Sequence, residues 1–159
     1  MIKKLFIITL AGGLNFFSAH AQDKTGDLAI IVGKNCSLNN VTSEELAKIF
    51  RAEKSKGSDG VRFILTTRET GSMERGTALA QIYKMEEGEY SKYFLQATFT
   101  GLVQSAPRAM NGSGTAKQFV AVTPGAIGYL RASDADDSVK VLKVDGKTPG
   151  EAGYGLKLK

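Results

Sequence analysis

Thr123-Pro124-Gly125-Ala126-Ile127-Gly128-Tyr129-Leu130 is the stretch on which the fold turns. Pro124 cannot continue a helix, Gly125 suits a turn, and the apolar run over 126–130 behind them reads as a strand. Upstream, a helix is expected to open near Thr115, with Gln118 in capping-box position and Phe119 and Val120 apolar, and to stop before Pro124. Downstream, 139–144 reads as a further strand with Asp145-Gly146 as a turn.

Working outward toward the N-terminus, Leu28–Val32 is a short β-branched run bounded by Gly26 and Gly33, which suits a buried strand. Thr42 can cap the next helix with Glu45 reaching back to it, and Val41 and Leu46 hold the two positions of a hydrophobic staple. Leu46, Ile49 and Phe50 then share one face. The stretch 51–60 reads as a loop and 61–66 as a strand in which Val61, Phe63 and Leu65 alternate with Arg62, Ile64 and Thr66. A polar turn, 68–72, follows. Leu79, Ile82 and Tyr83 keep helical spacing, as do Tyr90, Phe94, Ala97 and Thr98 after an expected break at Gly88. Strands alternating with helices predict an α/β fold: a sheet with helical cover, largely parallel in its first part.

Lys3 and Lys4 precede an apolar run over 5–17, and Ser18-Ala19-His20-Ala21 places small residues where a signal peptidase needs them. Residues 1–21 therefore read as a signal peptide cut after Ala21, and 22–159 as one domain. The run is broken by Gly12, Gly13 and Asn15 and is shorter than the roughly 20 residues of a spanning helix. A periplasmic protein, not inserted in a membrane after cleavage, is the expectation. The formal charge of +5 loses two lysines with the leader, which leaves too little basic excess to point to nucleic acid. His20, the one histidine, leaves with the leader, so a Ser-His triad, an imidazole proton shuttle or a histidine zinc site is not expected. No catalytic residues, cofactor or metal site are expected. Cys36 has no intrachain partner and reads as a small buried or half-buried residue, with a mixed disulfide as the alternative.

Three segments, in this order, resemble the second lobe of the phosphate-binding proteins of ABC transporters. Thr42-Ser43-Glu44-Glu45-Leu46-Ala47-Lys48-Ile49-Phe50 is similar to that family's Thr-x-x-Glu-Leu-x-x-Ile-Phe helix, although Arg51 stands where a Gly usually follows and the Trp near the next strand is absent. Arg68-Glu69-Thr70-Gly71-Ser72 sits where the family has Arg-x-Asp-Gly-Ser-Gly-Thr, with Thr70 for Asp, Met73 for Gly and Glu74 for Thr. The third segment resembles the family's Pro-Gly-Ala-Ile-Gly-Tyr run. The resemblance implies a single lobe of the type II periplasmic-binding-protein kind, a mixed sheet with helices on its faces. It also implies phosphate or a similar oxyanion as ligand, held by Arg68, Thr70, Gly71 and Ser72, and a transporter or other envelope protein as partner. No counterpart of the family's first lobe is recognisable, so a homodimer is one way to cover the open site.

Residue chemistry leaves two readings of 68–72 open. Unpaired amides at a helix start, Gly71 for close approach, two hydroxyls and the planar fork of Arg68 together suit a tetrahedral anion. Alternatively, Ser72 or Thr70 caps the helix while Arg68 pairs with Glu69 or Glu74. Gly112-Ser113-Gly114-Thr115 is a second candidate for backbone contact with an anion, or else a flexible helix cap. Glu86-Glu87 and Asp134-Ala135-Asp136-Asp137 read as solvated loops, and Tyr83, Tyr90, Tyr93 and Phe94 as core. The competing function is an accessory or scaffold domain that keeps the lobe for protein contacts and binds nothing small.

Overall fold

The computed structural model describes residues 26–159. The expected signal peptide, cut after Ala21, lies outside those residues. A five-stranded sheet runs in the order β4 (Arg108–Met110), β3 (Ile64–Arg68), β5 (Ala126–Arg131), β1 (Leu28–Val32), β6 (Lys140–Val141). A small parallel pair, β2 (Asn40–Val41) with β7 (Lys143–Val144), sits beside it.

The sheet is mixed. β3 is parallel to both β4 and β5, whereas β1 is antiparallel to β5 and β6. The expectation of parallel pairing in the first part is thus corrected, because β5 inserts between β1 and β3 and runs with β3 only. All five residues of β1 are buried, as a central strand covered on both faces requires. Leu28, Ile30, Val32, Ile127 and Tyr129 face one layer built from α1 (Ser43–Phe50), α2 (Met73–Ala78) with its continuing π-turn (Leu79–Tyr83), and α3 (Glu87–Phe99). Ala29, Ile31, Ala126 and Leu130 face the other, where α4 (Gly112–Val122) contributes Val120.

Local chemistry explains most boundaries. Thr42 caps α1 by accepting from the Glu45 amide at 3.1 Å, while the Glu45 carboxylate turns to Lys54 and leaves the expected capping box half made. Leu46, Ile49 and Phe50 are the buried face, as their spacing predicts. β3 begins three residues later than expected. Residues 61–63 pair instead with the loop before them, Val61 C=O accepting from Gly57 and the Phe63 amide donating to Ser55 C=O. The helix break falls at Lys84, in the left-handed region with φ 57°, and Glu86 and Glu89 form a capping box that places Gly88 inside the first turn of α3. α4 begins at Gly112 rather than near Thr115, because Gly112 at φ 81° lets the chain leave β4 directly into the helix.

The single strand expected over 139–144 is two. Leu142 donates to Ile30 C=O at 2.9 Å, and the chain then crosses to pair with β2. The C-terminal segment completes the core with Tyr154 and Leu156, and Leu28 donates to Leu156 C=O. Asp27, 1% exposed, accepts from the Gly150 amide and from Lys157 Nζ, each at 2.6 Å. Cys36 is half-buried and packs against the larger core cluster.

Candidate functional site

β3, β4 and β5 all end at one edge of the sheet, where Arg68 pairs in register with Met110 just before α4. Outside the carboxyl ends of parallel strands is where an α/β sheet offers a crevice. Arg68 is 5% exposed, and its guanidinium meets the second candidate segment there: Nη1 donates to Ser113 Oγ at 3.2 Å. The two segments singled out in the sequence, 45 positions apart, therefore converge.

A carboxylate already fills the convergence point. Glu69 takes both arms of the Arg68 fork, Nε at 2.9 Å and Nη2 at 3.1 Å, and also accepts from the Gly112 amide at 3.3 Å, at the positive end of α4. Hydrogen bonds from Arg68, set against a smaller cost of burial, bring the Glu69 carboxyl down to about 2. Burial presses against the charge on Arg68, but the bonds from Glu69 and the charges of Glu69 and Glu74 outweigh it and raise the guanidinium pKa.

More acid surrounds the pair. Glu74 lies 4.0 Å from Arg68 and 3.6 Å from Arg131, and Ser113 donates its hydroxyl to Asp134 at 2.5 Å. Asp134 is thus engaged rather than loosely solvated, and so is Asp136, which holds Lys117 and Ser138. Ser72 caps α2 by accepting from the Arg75 amide at 3.2 Å, and its hydroxyl donates to Glu69 C=O. Both halves of the simpler reading of 68–72 are present. Thr70 and Gly71 are exposed and, with Ser72, border a shallow depression whose far side carries Glu86 and Glu87. Of the first candidate set, Arg68 alone points to the convergence point; of the second, Gly112 and Ser113 do, while Gly114 and Thr115 lie exposed in the same first turn of α4.

A buried scaffold fixes the end of β3. Arg75 donates to Thr67 Oγ1 at 2.9 Å and to the Arg68 carbonyl at 3.1 Å, pairs with Glu87 at 2.6 and 2.9 Å, and lies 4.6 Å from the Tyr90 ring centre. Tyr129 shares a hydrogen bond with Thr67 Oγ1 at 2.7 Å and accepts from the Arg68 amide at 3.3 Å; burial pushes its phenol up to about 12. Glu87 is therefore an anchor, not the solvated acid expected. Tyr83, Tyr90, Tyr93 and Phe94 form an aromatic core cluster, as read from their spacing, edge-to-face at Tyr83–Tyr90 and Tyr93–Phe94 and tilted at Tyr90–Phe94. Sequence reasoning missed Arg75, Thr67, Arg131 and Asp134. Arg75 carries the one usable signal, a cation one turn after the cap at Ser72 and on the same helix as the apolar Leu79.

Among the described residues, no group of His, Cys, Asp and Glu is placed to hold a metal, and no helix is long and apolar enough to cross a membrane.

The fold is that of a single periplasmic-binding-protein-like lobe, a mixed sheet with helices on its faces. Within that class, the chain is similar to phosphate ABC transporter substrate-binding proteins, as its three sequence segments suggest. The phosphate-binding protein PstS of Bacillus subtilis is 28% identical over 127 residues, covering 77% of this chain and 37% of its own length. The solved ABC-type phosphate transport receptor from Vibrio cholerae superposes with a TM-score of 0.64 at 20% identity, over 78% of this chain and 48% of the other. PstS from Borrelia burgdorferi gives 0.59 at 19% identity, over 78% and 49%. The chain thus spans half or less of the length of these relatives. No family model matches it.

Proposed function

We propose that the chain is an exported solute-binding module that takes phosphate or a similar tetrahedral oxyanion at the cradle of Arg68, Gly112 and Ser113, for an uptake or sensing system of the cell envelope. The observation behind this reading is the convergence of a buried guanidinium and a helix-start amide on one anionic group. An oxyanion in that position would receive two N–H bonds from Arg68 and one from Gly112, with Ser113 steadying the guanidinium by accepting from Nη1. Thr70, Gly71 and Ser72 would line its outer rim. The role is binding without chemistry on the ligand. The Bacillus subtilis relative, named as a phosphate-binding protein, supports the ligand class. Export rests on the leader read in residues 1–21. A lone lobe leaves one side of the ligand to solvent, so a second lobe, a second copy or a transporter component would raise affinity by covering it.

One feature favours the second reading, an accessory domain that binds nothing small: Arg68 is already satisfied by Glu69, with Glu74 and Asp134 adding negative charge nearby. Phosphate titration with a thermal melt separates the two. Ligand at 100 times its dissociation constant adds about 2.7 kcal/mol of stability. A melting point unmoved by millimolar phosphate, or moved equally in Arg68→Ala and Ser113→Ala, leaves only the scaffold role.

A further inference from the structure

We propose that Glu69 is an internal competitor for the oxyanion, a carboxylate held in the ligand's place that the ligand must displace. The inference rests on the oxyanion-binding reading and adds the residue that sets its affinity. Three donors converge on Glu69 alone: Nε and Nη2 of Arg68, and the Gly112 amide. These are the groups the cradle would offer to an oxyanion, so the two anions exclude each other.

The mobility of the two partners differs in the direction displacement requires. The Arg68 side chain is 6% exposed, and its backbone is fixed by Tyr129 on the amide and Arg75 on the carbonyl. The Glu69 side chain is 37% exposed and lies at the rim beside exposed Thr70 and Gly71. Rotation about its own side-chain bonds carries the carboxylate into water, where it regains hydration. Arg68 stays in place and remains partly neutralised by Glu74 at 4.0 Å, which itself stays near Arg131 at 3.6 Å. No backbone rearrangement is needed. The consequence is a cradle kept in its binding geometry when no ligand is present, at the expense of weaker binding. Only an anion with more charge and more acceptor oxygens than a carboxylate gains by the exchange, because a tetrahedral oxyanion can meet the Arg68 fork and the Gly112 amide with separate oxygens. A monocarboxylate such as acetate gains nothing.

The test is calorimetric titration of inorganic phosphate into the wild-type chain, Glu69→Gln, Glu69→Ala and the remote control Glu44→Gln, with acetate as a second titrant and a thermal melt of each variant. Glu44 is exposed and, among the described residues, pairs with Lys48 on α1, so its loss reports general charge removal. Removing a competitor that holds charge-assisted bonds is expected to tighten phosphate binding by about tenfold or more in both Glu69 variants, and not in Glu44→Gln. Glu69→Ala, which opens the cradle fully, should also admit acetate. Equal phosphate affinity in wild type and both Glu69 variants overturns the competitor while leaving the oxyanion-binding reading standing. Absence of phosphate binding in all four proteins overturns both. If one Glu69 variant melts before titration is practical, the other carries the comparison.

Discussion

Replacing Arg75 with Met should cost about 3 kcal/mol of folding stability, and the sum can be worked contact by contact. The Arg68 carbonyl is buried and loses its charged donor at 3.1 Å, which costs about 1.5 to 2 kcal/mol. Thr67 Oγ1 keeps its bond to Tyr129 and loses little. The cation over Tyr90 at 4.6 Å is worth about 1 kcal/mol in this partly desolvated setting. The ion pair with Glu87 adds no more than about 0.5 kcal/mol, because that carboxylate is 43% exposed and water takes over. Met fills most of the Arg stem's volume, so no large cavity is added. For a domain of this size, about 3 kcal/mol should lower the melting temperature by about 8 to 12 °C. Urea unfolding followed by circular dichroism should show a lower midpoint with an unchanged slope. Glu87→Gln should lose well under half as much. A loss below about 1 kcal/mol for Arg75→Met would show that Arg75 does not brace the end of β3, and the account of how Arg68 is held would be wrong.

Gly125→Ala should destabilise by about 3 kcal/mol or more in the same assay, since its new Cβ would stand 2.1 Å from the Arg62 carbonyl oxygen at a φ of 80°. Tyr154→Phe should cost about 1 to 2 kcal/mol by leaving the buried Leu28 carbonyl without its 2.7 Å donor, whereas Tyr83→Phe should be neutral or stabilising, its buried hydroxyl having no partner among the described residues. The Glu69 carboxyl titrates in the folded state at about 2, below the ordinary 4.5, so its stabilisation is complete above pH 4.5 and lost as pH falls toward 2. Glu69→Gln should therefore flatten, without abolishing, the decline in melting temperature over that range, because Glu87 and Glu44 are depressed as well.

The parts of the fold legible in the sequence are those decided locally. Thr42 before an amphipathic run, the unbroken apolar Leu28–Val32, and Pro124-Gly125 ahead of Ala126 each report chemistry within a few residues. The short elements were not legible. β4 has three residues, two of them exposed, and β6 and β7 have two each, so their pairing is set by partners far along the chain. The helix break at Lys84 hides because its left-handed residue is neither Gly nor Asn. At the site, Arg68 and the Gly-Ser-Gly-Thr string could be picked out one at a time. That they meet could not, because the meeting depends on β4 bringing the start of α4 beside the end of β3. The pairing of Arg68 with Glu69 stood among the readings of 68–72, but the third donor, the Gly112 amide, belongs to tertiary structure alone.

Whether this lobe holds an oxyanion where Glu69 now sits is answered most directly by NMR titration of the isotope-labelled chain with phosphate. The Gly112 and Ser113 amides and the Arg68 Nε–H should shift together along one saturating curve, with residues of α1 unmoved. Phosphate that leaves those three signals in place up to tens of millimolar would contradict the account.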